Sequence, residues 1–270
     1  MTKSLETLEW RSNERGVATV TLQRPDVRNA FNDQLIEELT RVFTMISAEP
    51  SSRVAVLRAA GRAFCAGADL NGMRKSAHLS LEENRIDAGK MSRMFRAVAA
   101  CDVPVVAVVH GHAIGGGAGL VAAADIAIGV PEAKIGFTEV KLGIVPAVIS
   151  PFVLRKIGRK HAARYFATGE VFDGLEAERI GLLQKCVPSS ELEDEVDGIV
   201  GSILAAGPLA VRESKRLIDL VENVPVRDCD QVTVPLIARL RVSDEGQEGM
   251  SAFLEKRRPA WFPEGDSSHD

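Results

Sequence analysis

Residues 110–125 read HGHAIGGGAGLVAAAD. Glycines stand at 111, 115, 116, 117 and 119 in otherwise apolar surroundings. A glycine inside a helix costs about 1 kcal/mol relative to alanine, so their concentration where a buried helix begins needs a reason. Just upstream, VPVVAVVHG (103–111) is a continuous β-branched run, the signature of a strand covered on both faces. Just downstream, DIAIGV (125–130) reads as a second buried strand. The first N–H groups of a helix have no intrahelical partner and carry the positive end of its dipole. Glycine lets a ligand approach them, so Gly115, Gly116 and Gly117 can present N–H groups to an anion or a developing oxyanion.

Three readings of the cluster stand side by side. Gly117, Gly119 and Ala122 satisfy the GxGxxA of a dinucleotide-binding turn, but they lie about two residues inside the predicted helix, and no clear acid ends the next strand. Small residues can also serve only to let helix and sheet approach closely. The third reading, an oxyanion hole, needs a second donor. GRAFCAGADL (61–70) offers one: it follows the buried strand RVAVLRAAG (53–61) and holds a further glycine with alanines at 63, 66 and 68. Two bare-backbone loops, each after a buried strand, favour the third reading.

Working outward, GVATVTLQRP (16–25) is a strand that stops at Pro25. Leu35, Leu39, Val42, Phe43 and Ile46 then recur at helical spacing, with Asn32 as N-cap. Residues 84–101 read as a helix. PFVLRKIG (151–158), RKHAARYFATG (159–169) and DGLEAERIG (173–181) read as short helices ending at glycines, and LLQKCVP (182–188) as a last strand. Helical segments alone follow: 191–204, 209–221, 231–242 and a short helix before Pro259. The tail PEGDSSHD reads as disordered.

With 46% hydrophobic residues, the 270-residue chain can bury a large core without disulfide or metal. A net charge of −4 argues against a general nucleic-acid binder. Cys65, Cys101, Cys186 and Cys229 are scattered without CxxC pairing, as in a reduced intracellular protein. MTKSLETLEW carries no apolar signal core, and polar residues interrupt the apolar run from Val103 to Val130, so a cytoplasmic protein without a membrane partner is expected. His110, His112 and His161 lack metal-ligand spacing, and no metal is expected. Asp69 and Asp125, each just after a loop, suit fixing local backbone.

At these loops the chain resembles the enoyl-CoA hydratase/isomerase (crotonase) superfamily. The resemblance runs through RPDVRNAFN (24–32), GRAFCAGADL, residues 104–128, AKIGFTEVKLGIVPA (133–147) and EGMSAFLEKRRPAW (248–261). It implies an α/β fold: a crotonase-type ββα spiral core over residues 1–195 and a C-terminal helical oligomerisation region over 196–270, forming homotrimers or hexamers. It implies an acyl-CoA thioester substrate whose carbonyl sits between the N–H groups of Ala68 and Gly116. Coenzyme A is part of the substrate, and no separate cofactor is implied. The adenine falls to the loop of Ala66, with Gly67, Asp69 and Leu70 beside the substrate, and Arg28 faces the phosphates. Gly115 and Gly119 are implied to line the acyl site, and Phe253 and Lys256 to cover a neighbour's.

Hydratases of this family often use two glutamates. One position falls three residues after the oxyanion glycine and is Gly119 here; the other is Glu139, which therefore carries the implied acid/base work. Its neighbours Ile135, Phe137, Val140 and Ile144 would raise its pKa. EVKLGIVPAVISPFV (139–153) and the segment 241–261 resemble bacterial methylglutaconyl-CoA hydratases and carboxygeranoyl-type relatives, which implies hydration of a branched or carboxylated enoyl-CoA. A Δ3,Δ2-enoyl-CoA isomerase or another acyl-CoA lyase relying on Glu139 alone, and a non-catalytic acyl-CoA binder, are the alternatives.

Overall fold

A computed structural model describes residues 5–262. The tail PEGDSSHD (263–270) lies outside the described residues. Strands β1 (Leu8–Ser12) and β2 (Val17–Leu22) form an antiparallel hairpin. In β2 the buried residues Ala18, Val20 and Leu22 alternate with half-buried ones, as the period of a strand with one core face requires. Helix α1 (Asp33–Ala48) follows, with the Asn32 side chain accepting from the Leu35 N–H (2.9 Å) as its N-cap. Leu35, Ile36, Leu39, Val42, Phe43 and Ile46 form its buried face.

Next come β3 (Val54–Ala59), β4 (Ala63–Cys65), α2 (Leu70–Ser76) and α3 (Leu81–Ala99); then β5 (Val105–Val109), β6 (His112–Ile114) and α4 (Gly116–Ala123); then β7 (Ile126–Gly129), β8 (Ile135–Gly136) and α5 (Ser150–Thr168). Each turn thus lays one strand in a large sheet, one in a small sheet, and then a helix. The large sheet has the order β1-β2-β3-β5-β7 and ends on β10 (Lys185–Cys186); it is parallel from β2 onward. The small sheet runs β4-β6-β8 in parallel and closes on the antiparallel β9 (Val171–Phe172), which precedes α6 (Gly174–Arg179). The core lies among these turns, and β5 and α4 are buried along their whole lengths. In α5 the backbone leaves helical geometry at Gly158 (φ 66°, ψ 170°), so the run is two helices meeting at a kink where the sequence predicted their boundary.

The C-terminal part is helical, as expected: α7 (Leu192–Ala205), α8 (Pro208–Val221), α9 (Asp230–Arg241) and α10 (Asp244–Leu254). The boundary expected at 195/196 falls inside α7. Polar ties hold this part to the spiral. Arg53 donates to the carbonyls of Leu204 (3.1 Å) and Ala206 (2.7 Å), and Lys215 meets Asp125 at 2.6 Å. Asp125 also accepts the Val105 N–H at 2.7 Å, the backbone-fixing role its position suggested. No helix among the described residues is long and apolar enough to cross a membrane.

Candidate active site

The C-terminal ends of β4, β6 and β8 lie side by side, and each runs into one part of the site: residues 66–69 after β4, Gly115 and Gly116 after β6, Glu139 after β8. Three successive turns therefore deliver three groups to one edge of the small sheet.

The first loop is held by Asn29. This fully buried residue adopts a left-handed backbone (φ 56°); its amide donates to the carbonyls of Ala60 and Ala63 (both 2.9 Å), and its Oδ1 accepts the Arg24 N–H at 2.8 Å. Phe31 and Ala68 form a parallel bridge in which the Phe31 N–H reaches the Gly67 carbonyl (2.7 Å) and the Asp69 N–H reaches the Phe31 carbonyl (2.9 Å). In such a bridge the N–H of the central residue faces away, so the Ala68 N–H is left without a main-chain partner among the described residues. Asp69 then caps α2, accepting from Asn71 N–H (2.8 Å) and pairing with Arg24 at 3.0 Å. These donors hold its carboxyl below the usual carboxylate range. Asp69 is buried, fixes the local backbone as its position suggested, and lines the larger chamber described below.

The second loop explains most of the glycines. Gly115 takes φ 54° and ψ −120°, a conformation open to glycine. A Cβ there would stand 3.2 Å from Glu139 Oε1, so the carboxylate lies against the start of α4. The Gly116 N–H, first in the helix, has no partner among the described residues. A Cβ on Gly67 would lie 3.5 Å from the Gly116 nitrogen, which places the two loops in contact. A Cβ on Gly117 would come 2.1 Å from the Cys65 carbonyl oxygen, so this glycine serves close packing of helix on strand. The packing reading therefore holds for Gly117, while Gly115 and Gly116 face the cavity. The dinucleotide reading fails, because Gly117 and Gly119 are buried inside α4.

The cavity has a volume of about 220 Å³; Ala66–Ala68, Ile114–Gly116, Thr138 and Glu139 form one wall, and Met73, Met91, Leu142 and residues 144–149 the rest. Glu139 is its one titratable lining residue. Burial pushes its pKa above the ordinary carboxylate value, as its apolar neighbours suggested, and Oε2 is buried without a hydrogen-bond partner. A second chamber of about 600 Å³ shares Ala68, Met73, Met91, Leu142 and Ile144 with the first and adds Arg24, Asp33 and Lys75.

Gly119 does not line the cavity. A Cβ on it would come 2.3 Å from Ile149 Cγ2 and 3.1 Å from Phe95 Cε1, so Ile149 covers it and forms the wall itself. The expected contact with substrate is thereby corrected. Arg28 is exposed, and its carbonyl accepts the Ala66 N–H at 2.9 Å, which puts it beside the first loop. Leu70 is exposed at the start of α2. Phe253 (83% exposed) and Lys256 lie at the end of α10, outside both chambers. His110 bonds the Gly61 carbonyl (2.9 Å) and His112 the Lys134 N–H (3.2 Å). No cluster of three metal-ligating side chains is present among the described residues. Sequence reasoning missed Asn29, Arg24, Ile149 and the two methionines; the Asn-containing left-handed turn was the one local signal available.

Spiral and site together define a protein of the crotonase class. The chain belongs to the enoyl-CoA hydratase/isomerase family, whose model matches residues 12–264. It is 34% identical to the crotonyl-CoA hydratase of Syntrophomonas wolfei over 91% of this chain and 94% of that one. It is 32% identical to the (E)-benzylidenesuccinyl-CoA hydratase of Thauera aromatica over 91% and 95%. The crystal structure of an enoyl-CoA hydratase from Shewanella pealeana superposes with a TM-score of 0.91 at 36% identity, covering 95% of this chain and 96% of that one.

Proposed function

We propose that this chain hydrates α,β-unsaturated acyl-CoA thioesters, with the thioester oxygen between the Ala68 and Gly116 N–H groups and Glu139 as the acid/base. The observation that carries the reading is the meeting of two N–H donors, unpartnered among the described residues, with one desolvated carboxylate in an apolar cavity. Glu139 takes a proton from water as the water oxygen bonds to Cβ. The C=C electron pair moves to the thioester oxygen, where negative charge meets both donors; each such donor lowers the barrier by about 3 kcal/mol. As the enolate collapses, Glu139 returns the proton to Cα. Only water and thioester are consumed. Arg28 and the Ala66 loop supply the coenzyme A contacts.

The acyl group is branched and of methylglutaconyl type in this reading. The first cavity has no cation in its wall, so a distal carboxylate extends past Met73 and Met91 toward Arg24 and Lys75 of the second chamber. A single carboxylate, with hydrocarbon from Ile149 over Gly119, also favours a second reading, Δ3,Δ2-isomerisation by Glu139 alone. A homotrimer, or a hexamer of two trimers, is proposed for the assembly, with the exposed Phe253 and Lys256 turned to a neighbouring site.

Turnover of 3-methylglutaconyl-CoA, crotonyl-CoA and a 3-enoyl-CoA tests this, with Glu139→Gln as control. Hydration of the first, lowered about 100-fold or more in the variant while binding persists, is expected. A shifted double bond without added water selects the isomerase; acyl-CoA binding without turnover in either form selects a non-catalytic binder.

A further inference from the structure

A hydratase must hold its water as well as deprotonate it, so the inference about that water rests on the hydratase reading. One carboxylate can accept one of the water's two O–H groups; the other needs a partner, or the water rotates away from Cβ. The wall at position 119 offers none: a Cβ on Gly119 would meet Ile149 and Phe95, and Ile149 lines the cavity there. Among the residues lining the cavity, Thr138 and Glu139 alone carry a side-chain oxygen or nitrogen. Thr138 precedes the short 3-10 turn Glu139–Leu142 and makes no side-chain capping bond to it. Its carbonyl is used, accepting the Lys141 N–H at 3.0 Å, but its hydroxyl has no protein partner among the described residues. Thr138 lines the cavity, and a hydroxyl without a protein partner is completed by water or substrate.

We propose that the Thr138 hydroxyl is the second anchor of the attacking water, a positioning residue that fixes its orientation beside Glu139. The hydroxyl oxygen accepts one O–H of the water, Glu139 accepts the other, and an oxygen lone pair is left facing Cβ. The proton taken by Glu139 goes to Cα, and Thr138 exchanges no proton in the balance. In this chain a neutral hydroxyl one residue before Glu139 thus takes the orienting part that a second acid at position 119 would play.

The test compares the full chain with Thr138→Val, which keeps the shape and removes the hydroxyl, and Thr138→Ser, which keeps the hydroxyl. Hydration is followed on crotonyl-CoA and on 3-methylglutaconyl-CoA. Losing one anchoring hydrogen bond should lower kcat about tenfold in Thr138→Val with KM within about twofold, and Thr138→Ser should recover at least about half of the wild-type kcat. If Thr138→Val does not fold, Thr138→Ala is read in its place. A kcat within about twofold of wild type, a loss carried by KM, or an equal loss in Thr138→Ser overturns the inference while leaving the hydratase reading intact. Absence of hydration by the wild type overturns both.

Discussion

Gly119 shapes the wall of the site without touching the cavity. It lies in the second turn of α4 with Ile149 against it. In Gly119→Ala the new methyl would stand 2.3 Å from Ile149 Cγ2 and 3.0 Å from Ile149 Cβ. Neither atom is the free end of a flexible chain, because a β-branched side chain is stiff at χ1. Overpacking of this kind costs about 1–3 kcal/mol, offset in part by the helix preference of alanine over glycine, about 1 kcal/mol. Net destabilisation of up to about 2 kcal/mol is expected. Ile149→Ala alone opens a void beside the helix and costs about 2–5 kcal/mol. In the double variant the methyl at 119 enters space vacated at 149, so the two costs should fall short of additivity by at least about 1 kcal/mol. Urea unfolding at fixed protomer concentration, followed by fluorescence of Trp10 and Trp261, measures all four corners of the cycle. Additivity within about 0.5 kcal/mol, or a Gly119→Ala protein more stable than wild type, would refute the account of why glycine stands at this position.

The buried polar groups carry two further predictions. Burial raises the pKa of Glu139 above 4.5, and the base must be ionised to work, so the acid limb of the hydration rate should have its midpoint above that value. The same shift means the folded protein holds its proton more tightly than the unfolded chain, so ionisation costs stability as pH rises through the folded pKa. Glu139→Gln should therefore gain stability relative to wild type on going from about pH 4 to about pH 8, as thermal unfolding at both would show; a constant difference contradicts a desolvated carboxylate. Asn29→Ala strands the Ala60 and Ala63 carbonyls and the Arg24 N–H and puts a Cβ-bearing residue without a side-chain bond at φ 56°; a loss of about 3 kcal/mol or more is expected. Asn29→Gly, which relieves only the backbone, should recover less than half of it in the same unfolding assay.

Much of the spiral was legible because its large-sheet strands and its helices are long enough to carry a period. Strands β2, β3, β5 and β7 and helix α1 stand where apolar alternation, continuous β-branched runs and helical spacing placed them. The small sheet was not legible. Strands β4, β6, β8 and β9 have two or three residues each, too few to show a period, and β4 and β6 sit inside segments that read as loop and as helix entry. Helix α2 was missed for a related reason: seven residues without one buried side chain give no apolar stripe. The N-cap Asn32 was readable, since its side chain accepts an N–H three residues on; the hold of Asn29 on residues 60–63 was not, since it spans more than thirty positions.

The same distinction runs through the site. Glycine clusters announced bare backbone, and the resemblance singled out Ala68, Gly116 and Glu139, but only the register of the small sheet explains why these three meet. Ala63 and Cys65 pair with His112 and Ala113, and Ala113 and Ile114 with Ile135 and Gly136. Neighbouring strands lie about 4.8 Å apart, so groups leaving the same edge of adjacent strands arrive within reach of one small carbonyl. Each strand being so short, a one-residue slip has little room to be tolerated. The shift already present between Ala63 and Cys65 belongs to the geometry that brings Gly67 against Gly116. Sequence supplied the chemistry of the site, residue by residue; its alignment is a property of three strand ends. This is why Asn29, remote from the cavity lining yet anchoring the strand before the first loop, should matter to catalysis as well as to folding.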